Sequence, residues 1–588
     1  MQLLSQPLPL GFSDFTKLQN RNAIYVDKTD LIGLLATRYG KQILFTRPRR
    51  FGKSLLTSTL KTLFRDGVSR FKGLKIEKLW HEQIYDVVQL DFSKSPSSFK
   101  TVEEFKERFW NYIQAQFASI DYRYDPQSVT HPENQFDLWL QSRKSQPLVI
   151  LIDEYDAPLT QCLDNIERFS NVRDEFRVFF NILKSNEGSF RFLFLTGVTR
   201  FTSTGIFSGF NSLVDVTLEP QFGTLLGFTE NELVQHFGDH LKKAANTLGM
   251  SIDALVDEMK KYYDGFCFDS QASTHVFCPW SVMRFLMSPQ NGFENYWYET
   301  AGQPRFLLKH LLNRNIPDFI NLENNILVSG QDLQSAIDFD EDSFTKKNAR
   351  SINEITLFQQ AGYLTIKSID AFGRLSLGYP NQEVRASMAR LSAQILTDNP
   401  QFDAIDLVKA MATKNVKAVI ERFNEVVNAF DYQRFIITDE SSFRSCFQML
   451  LYSLSLRPEI EVHYARGRSD LEVEVCNCRW VFEYKYSVDG KDLNKMLEKA
   501  KAQIIDRRYG QSPNHSQETI YVAAVFDGAQ RRIGAWAEVE PNRHLWNALH
   551  RHDIWLTAWY LSIGRHSPAS NEGKVKSAKR GPSRAPLF

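Results

Sequence analysis

Cysteine is scarce, with six residues in 588 (Cys162, Cys267, Cys278, Cys446, Cys476 and Cys478), of which only Cys476 and Cys478 stand close together. That scatter excludes a disulfide framework. With no second ligand cluster nearby, Cys476-Asn477-Cys478 favours strand or turn cysteines over zinc. An excess of one charge is also lacking: 70 Lys and Arg balance 69 Asp and Glu for a net charge of +1. This argues against a general nucleic-acid coat protein but leaves room for a local basic groove. No apolar run approaches the ~18–20 residues of a membrane helix. The opening MQLLSQPLPLGFSDF has neither the basic region nor the long apolar core of a signal peptide. The expectation is therefore a cytoplasmic protein with no membrane partner.

With 43% hydrophobic and 24% charged residues, the chain has the composition of an ordinary globular protein of roughly two to four domains. No internal repeat is visible. From Arg565 onward six Lys or Arg and one Glu lie among Pro, Ser and Gly. Such a tail buries too little to order itself and reads as a solvated extension, or else as an arm that contacts nucleic acid.

The first half alternates short apolar runs with helical patterns. Lys41–Thr46 (KQILFT) reads as a strand, and Leu55, Leu56, Leu60 and Leu63 then recur at helical spacing as far as Gly67. Tyr85–Ser93, Pro147–Leu159 and Phe190–Phe201 supply three further apolar strands. Buried strands separated by helices predict a parallel α/β sheet. Beyond LLGFTENELVQHF the pattern turns helical, with Thr229 and Glu232 at capping-box spacing. Residues 230–330 are expected to form a helical lid or small α domain, and 331–437 a mostly helical linker region. A compact α/β unit follows from 438: helix, two strands (RSDLEVEVC and RWVFEYKYS), helix, strand.

Between the first strand and helix lies RPRRFGKS, Arg47–Ser54, which ends like a phosphate-binding loop. Such a loop needs a lysine for the phosphates, a hydroxyl for Mg²⁺, and an acidic residue at the end of a buried strand. Lys53, Ser54 and Asp153 fill these places, and Glu154 would polarise the attacking water. Thr199 and Arg200, just past the fourth strand, are placed where a γ-phosphate sensor would sit. Arg47 occupies the position of the usual first glycine, where a bulky residue costs backbone energy. The competing reading is a basic strand-to-helix turn.

PLGFSDFTKLQNRNAIYVDKTDLI, RPRRFGKSLLTSTLKTLF, LIDEYDAPL, TGVTRFTSTGIFSGFNSL, LLGFTENEL, KYYDGFCF and CPWSVMRFL together resemble the AAA-ATPase-like family of bacterial and archaeal P-loop proteins, over roughly residues 7–300. That family carries Arg-Pro-Arg-Arg-Phe-Gly-Lys-Ser as its own loop, so Arg47 agrees with it. The resemblance implies a core over 1–229 and an ATP and Mg²⁺ site formed by Arg49, Arg50, Phe51, Gly52, Lys53, Ser54 and Asp153. It implies ATP binding more securely than fast hydrolysis.

In the last unit Asp470 lies on one strand and Glu483-Tyr484-Lys485 on the next. A hairpin of that length brings the three charged side chains together, with Glu483 and Lys485 on one face. Two carboxylates and a lysine suit metal-assisted phosphodiester hydrolysis, although a plain exposed strand also produces Glu-x-Lys. Glu440, at the start of the preceding helix, could add a ligand. Gly-Arg-x-Asp, Phe-Glu-x-Lys, Gln503-Ile504 and Tyr509 make the region resemble the PD-(D/E)XK nuclease superfamily, with Ser469 in place of the proline. The resemblance implies Asp470, Glu483, Lys485 and Gln503 as catalytic, Glu440, Asp470 and Glu483 as ligands of Mg²⁺ or Mn²⁺, and nucleic acid, DNA over RNA, as partner. His463 has no partner at metal spacing, and Trp280 reads as the start of a helix after Pro279 rather than a base contact.

The expected architecture is α/β: a P-loop NTPase parallel sheet with a helical lid, then a separate restriction-endonuclease-like domain over 438–545 and a C-terminal extension over 546–588. The expected function is an ATP switch controlling a nuclease that acts in defence against foreign nucleic acid or on mobile DNA. The alternative is a signalling or scaffold protein whose nuclease-like domain binds without cutting. Homo-oligomerisation stays open.

Overall fold

The computed structural model describes residues 6–540 apart from 96–98, 100, 163–164, 202–205, 207–211, 298–325, 334–336, 339–350, 353, 398, 400–403, 431–434, 465, 508 and 510–517. The basic tail therefore lies outside the described residues. Its first sheet is built from β1 (Gln42–Thr46), β2 (Val87–Asp91), β3 (Leu148–Asp153), β4 (Phe190–Gly197) and β5 (Val214–Asp215). These run in the order β2-β3-β4-β1-β5, and all four pairings are parallel. Every residue of β1 and β3 is buried, because helices cover both faces and leave no wet side for polar alternation. All strands end at one edge, where α/β sheets bind ligands. There β2 and β3 finish in register, Asp91 beside Asp153.

β1 feeds α1 (Lys53–Asp66), whose apolar stripe includes Leu56, Leu60 and Leu63 and which stops at Gly67. After the sheet come α2 (Glu230–Leu248), opened by the Thr229–Glu232 capping box, α3 (Ile252–Tyr263) and α4 (Pro279–Met287). A two-stranded pair, Phe266–Cys267 with His275–Val276, interrupts these helices. The two stretches expected to be helical, 230–330 and 331–437, also share a three-stranded antiparallel sheet: β6 (Ile326–Val328), β7 (Thr365–Ile369) and β8 (Leu375–Gly378), in the order β7-β8-β6. Its strands are too short to show a clear period in the sequence. α5 (Gln382–Leu396) then packs on α6 (Glu440–Ser453).

The last sheet runs β9 (Glu459–Tyr464), β10 (Gly467–Val475), β11 (Cys478–Ser487), β12 (Glu518–Asp527) and β13 (Arg532–Glu538) in chain order, with only β11 and β12 parallel. Cys476 and Asn477 both have positive φ, as a two-residue hairpin turn between β10 and β11 requires. The close-set cysteines are therefore one turn residue and one strand residue. Phe443 and Phe447 of α6 pack on Phe482, Tyr484 and Phe526. On the other face Ala500 and Ile504 of α7 (Leu493–Arg507) meet Val481, Tyr521 and Ala523. Strand alternation thus commits Phe482 and Tyr484 to the α6 side, and Val481 and Glu483 to the α7 side.

Helices α3 and α4, α5 and the last unit meet through specific pairs. The Arg457 guanidinium donates to Glu258 Oε2 (3.1 Å) and to the Tyr262 hydroxyl (3.2 Å), both on α3. Arg385 on α5 donates to the Tyr452 hydroxyl on α6 (2.8 Å). Two residues earlier the buried Glu383 accepts from Ser281 Oγ of α4 (2.9 Å) and from the Trp297 N–H (2.8 Å). A cavity of about 340 Å³ lies among these elements.

Candidate functional sites

Arg47, the residue at odds with the general loop pattern, is only 1% exposed and does not line the cavity beside the loop. Its guanidinium donates to the carbonyls of Thr46 (2.8 Å), Thr217 (2.7 Å) and Phe222 (2.9 Å) and lies over the Phe45 and Phe268 rings. Burial pulls its pKa down to about 9. Arg47 is thus a strut that pins the root of the loop to the segment after β5. Phe51 anchors the far end, buried against Phe266, Phe268 and Trp297. On either side of Phe51, Arg50 takes φ 71° and Gly52 φ 97°. Glycine takes this left-handed backbone freely, whereas at Arg50 it costs on the order of 1–3 kcal/mol and belongs with ligand loops.

The loop walls a cavity of about 630 Å³, within the size range of small-ligand sites. Arg49, Arg50, Gly52, Lys53, Ser54, Asp153 and Glu154 all line it, so seven of the nucleotide-site residues expected from the sequence share one space with Phe51. The Lys53 ammonium donates to the Pro48 carbonyl (3.2 Å) and stands 3.8 Å from Glu154 Oε1. Glu154 itself has φ 51°, a turn that swings it off the strand toward the lysine. Burial pushes the Asp153 carboxyl above its usual range, while the Ser54 hydroxyl hydrogen-bonds it. The hydroxyl, buried carboxylate and lysine fit a nucleotide with its Mg²⁺.

Thr199 and Arg200 are placed differently. Neither lines the cavity. The Thr199 N–H donates to Asp156 Oδ2 (2.7 Å) and its carbonyl accepts from the Tyr155 hydroxyl (2.8 Å). The buried Arg200 pairs with Asp215 (3.2 Å) and sends its N–H to Gln360 Oε1 (2.9 Å). The chain turns inward after β4, and both residues hold that turn together with Asp156, whose carboxyl burial and Glu154 push up to about 6. Trp280 does open α4 behind Pro279, but it also lines the cavity, with the Arg50 guanidinium 4.3 Å over its ring. The site residues expected from the sequence also leave out Asp91 and Ser93, Pro9, Gly11 and Phe12, and Leu225–Phe228 in the same wall. Asp91 was findable, since it ends an apolar strand just as Asp153 does.

At the second site the hairpin register pairs Leu471 with Phe482, and Asp470 and Glu483 are the next residues along. Asp470 Oδ2 accepts the Tyr484 N–H (2.7 Å). The Lys485 ammonium lies 3.2 Å from Glu483 Oε1, 3.5 Å from Glu440 Oε2, and donates to the Tyr484 carbonyl (2.7 Å). Asp470, Glu483, Lys485 and Glu440 are therefore brought together. Glu483 is 1% exposed; burial first and Asp470 second push its carboxyl up to about 7, against the pull of Lys485. Among the described residues its Oε2 is buried without a donor in hydrogen-bond geometry, although the neighbouring Tyr509 hydroxyl helps hold the carboxyl's charge, and such an oxygen suits a cation. Glu440 is half exposed and held on the lysine, and among the described residues no three His, Cys, Asp or Glu converge as a metal site. The expected trio of Glu440, Asp470 and Glu483 is thus not a preformed cage. Gln503 is half-buried on α7, and Tyr509, buried beside Glu483, accepts from Arg507 (3.2 Å).

Residues 9–207 match the family described as predicted AAA-ATPase, and residues 438–536 match the PD-(D/E)XK nuclease superfamily. The chain thus joins a region similar to the predicted AAA-ATPase family to a region similar to the PD-(D/E)XK nuclease superfamily. An uncharacterized protein in the vnfD 5′ region of Azotobacter chroococcum mcd 1 is 27% identical over 497 residues, 81% of this chain and 89% of its own. Among solved structures, the Walker-type ATPase paby2304 of Pyrococcus abyssi aligns at 11% identity and a TM-score of 0.32, covering 66% of this chain and 99% of that one. The Aeropyrum pernix ORC2 protein in its ADPNP and ADP complexes aligns at 11% identity and 0.23, covering 62% and 92%. No helix among the described residues is long and apolar enough to cross a membrane.

Proposed function

We propose that this chain is a cytoplasmic, ATP-controlled nuclease acting on DNA. The observation that carries the first half is the convergence of Lys53, Ser54, Asp153 and Glu154 on one cavity wall. Lys53 grips the phosphates, Ser54 and Asp153 would hold Mg²⁺, and Glu154 orients the attacking water once phosphate draws Lys53 away from it. Mg²⁺, when bound, offsets phosphate charge.

In the second half Asp470 and Glu483 would hold Mg²⁺ or Mn²⁺, which supplies a water of lowered pKa. Lys485 orients that water against the scissile phosphate, and Glu440 and Gln503 flank it. The contacts through Ser281, Glu383, Arg385 and Tyr452 support control of one site by the other. They connect α4, which carries Trp280 in the nucleotide cavity, with α6, which carries Glu440. Moving such a switch from mostly off to mostly on needs about 5 kcal/mol of differential ATP affinity. Defence against foreign nucleic acid, or action on mobile DNA, is the role this architecture fits.

The test is cleavage of single- and double-stranded DNA and RNA with Mg²⁺ or Mn²⁺, with and without ATP, by wild type, Lys53→Ala and Glu154→Gln. Metal-dependent cutting of DNA that changes with ATP in wild type and not in Lys53→Ala is expected. Binding without cutting would instead make the last domain a scaffold.

A further inference from the structure

A second carboxylate reaches the nucleotide cavity from outside the loop motif. Asp91 closes β2 in register with Asp153, on the neighbouring strand ~4.8 Å away. It lines the cavity together with Lys53, Ser54, Asp153 and Glu154. Its backbone is fixed twice by Tyr112, whose hydroxyl accepts the Asp91 N–H (2.7 Å) and donates to the Asp91 carbonyl (3.0 Å). One carboxylate oxygen is committed to the local turn, since Oδ1 accepts from Ser93 N–H (3.1 Å) and Ser93 Oγ (2.6 Å). Among the described residues the other, Oδ2, meets the ammonium of Lys94 (3.2 Å), a side chain 73% exposed and easily displaced. Glu154 faces Lys53 across the same space. Asp91 thus borders the cavity from the strand beyond β3, with Oδ2 drawn by Lys94 toward a smaller adjoining cavity of about 250 Å³ that both residues line, and free to turn to the nucleotide side when that exposed ammonium lets go.

We infer that Asp91 is a positioning residue for hydrolysis at this site: its Oδ2, released from Lys94, accepts a hydrogen bond from the attacking water and aims it at the terminal phosphate. The inference rests on the ATPase reading above. In the step, the water oxygen bonds to phosphorus as the bridging P–O bond breaks. ADP leaves with that electron pair, and the water proton passes by way of Glu154 to the released phosphate. Asp91 moves no proton; it fixes the direction of attack.

Asp91→Asn separates this role from a structural one, because an amide oxygen can still cap Ser93 while the charge at Oδ2 is gone. Thermal unfolding and ATP affinity are expected to match wild type, with KM within about twofold, while kcat for phosphate release falls ~10–100-fold. Asp91→Glu should recover part of the rate, and Lys94→Ala should leave it within about twofold. Wild-type kcat in Asp91→Asn overturns the inference while leaving the ATPase reading intact. So does a loss of kcat matched by equal losses in ATP affinity and Tm, which would make Asp91 a structural residue. A wild-type chain that binds ATP without turning it over overturns the inference and the hydrolytic half of the reading together.

Discussion

The two acidic sites solve one problem, holding a carboxylate pair beside a lysine, from opposite kinds of backbone. In the first domain Asp153 and Glu154 are consecutive, and the left-handed turn at Glu154 sends the second carboxylate away from the strand toward Lys53, 3.8 Å off. In the last domain Asp470 and Glu483 come from two strands, and the lysine, 3.2 Å from Glu483, lies two residues further along the same strand. The first arrangement opens into a roomy cavity and leaves the Glu154 side chain 28% exposed. The second buries Glu483 almost completely and raises its pKa. A turn yields carboxylates that can move with a ligand, whereas a hairpin yields carboxylates already committed to a place.

The sharpest break in that comparison is removal of the committed pair. Asp470→Ala or Glu483→Ala should cut metal-dependent cleavage by ~10³-fold or more and leave ATP affinity unchanged. Persistent cutting by the double variant would place the chemistry elsewhere. At the mobile site the effects should divide: Lys53→Ala is expected to weaken ATP binding ~10²-fold, while Glu154→Gln binds normally and turns over ~10²-fold more slowly. Equilibrium binding of labelled nucleotide separates the two, and unchanged affinity in Lys53→Ala would sink the loop assignment.

Smaller effects test the connection between the sites. Tyr452→Phe removes the acceptor for Arg385 with little change in shape. It should cost about 1 kcal/mol of stability and reduce the ATP response of cleavage several-fold, leaving each site's own affinity in place. The smallest effect is a pH slope. Burial pushes the Glu383 carboxyl up to about 8, well above its unfolded value of 4.5. The folded chain therefore binds a proton that the unfolded chain has lost, and stability should decline as pH rises from about 4.5 to about 8. Glu383→Gln should show a shallower decline in Tm between pH 5 and 8 than wild type; parallel slopes would place the proton elsewhere.

What the sequence made legible follows the same division. Lys53-Ser54 and Asp153-Glu154 could be read because strand, loop and helix are contiguous and each element has a clear period. Asp470 and Glu483 could be read because hairpin arithmetic fixes which residues face each other. Arg47 could not: the sequence shows an arginine in a glycine's place, but its three carbonyl acceptors include Thr217 and Phe222, about 170 residues away. Thr199 and Arg200 stood at the expected distance past a strand, yet the chain turns inward there, a tertiary choice that local spacing does not encode. Asp91 carried a readable signal, an acid at the end of an apolar strand, but no glycine-rich motif beside it.

The helix α6 has a consequence in terms of leverage. Its 14 residues span about 21 Å, with Glu440 at one end and Tyr452 in the last turn at the other. Phe443 and Phe447 press its middle against the sheet and serve as a fulcrum. A tilt of about 6° about that fulcrum would carry the Glu440 end, ~10 Å away, roughly 1 Å, a misplacement on the scale that costs ~10²-fold in a catalytic site. A movement at Tyr452 too small to alter the fold could thus be enough to move Glu440 out of reach of Lys485.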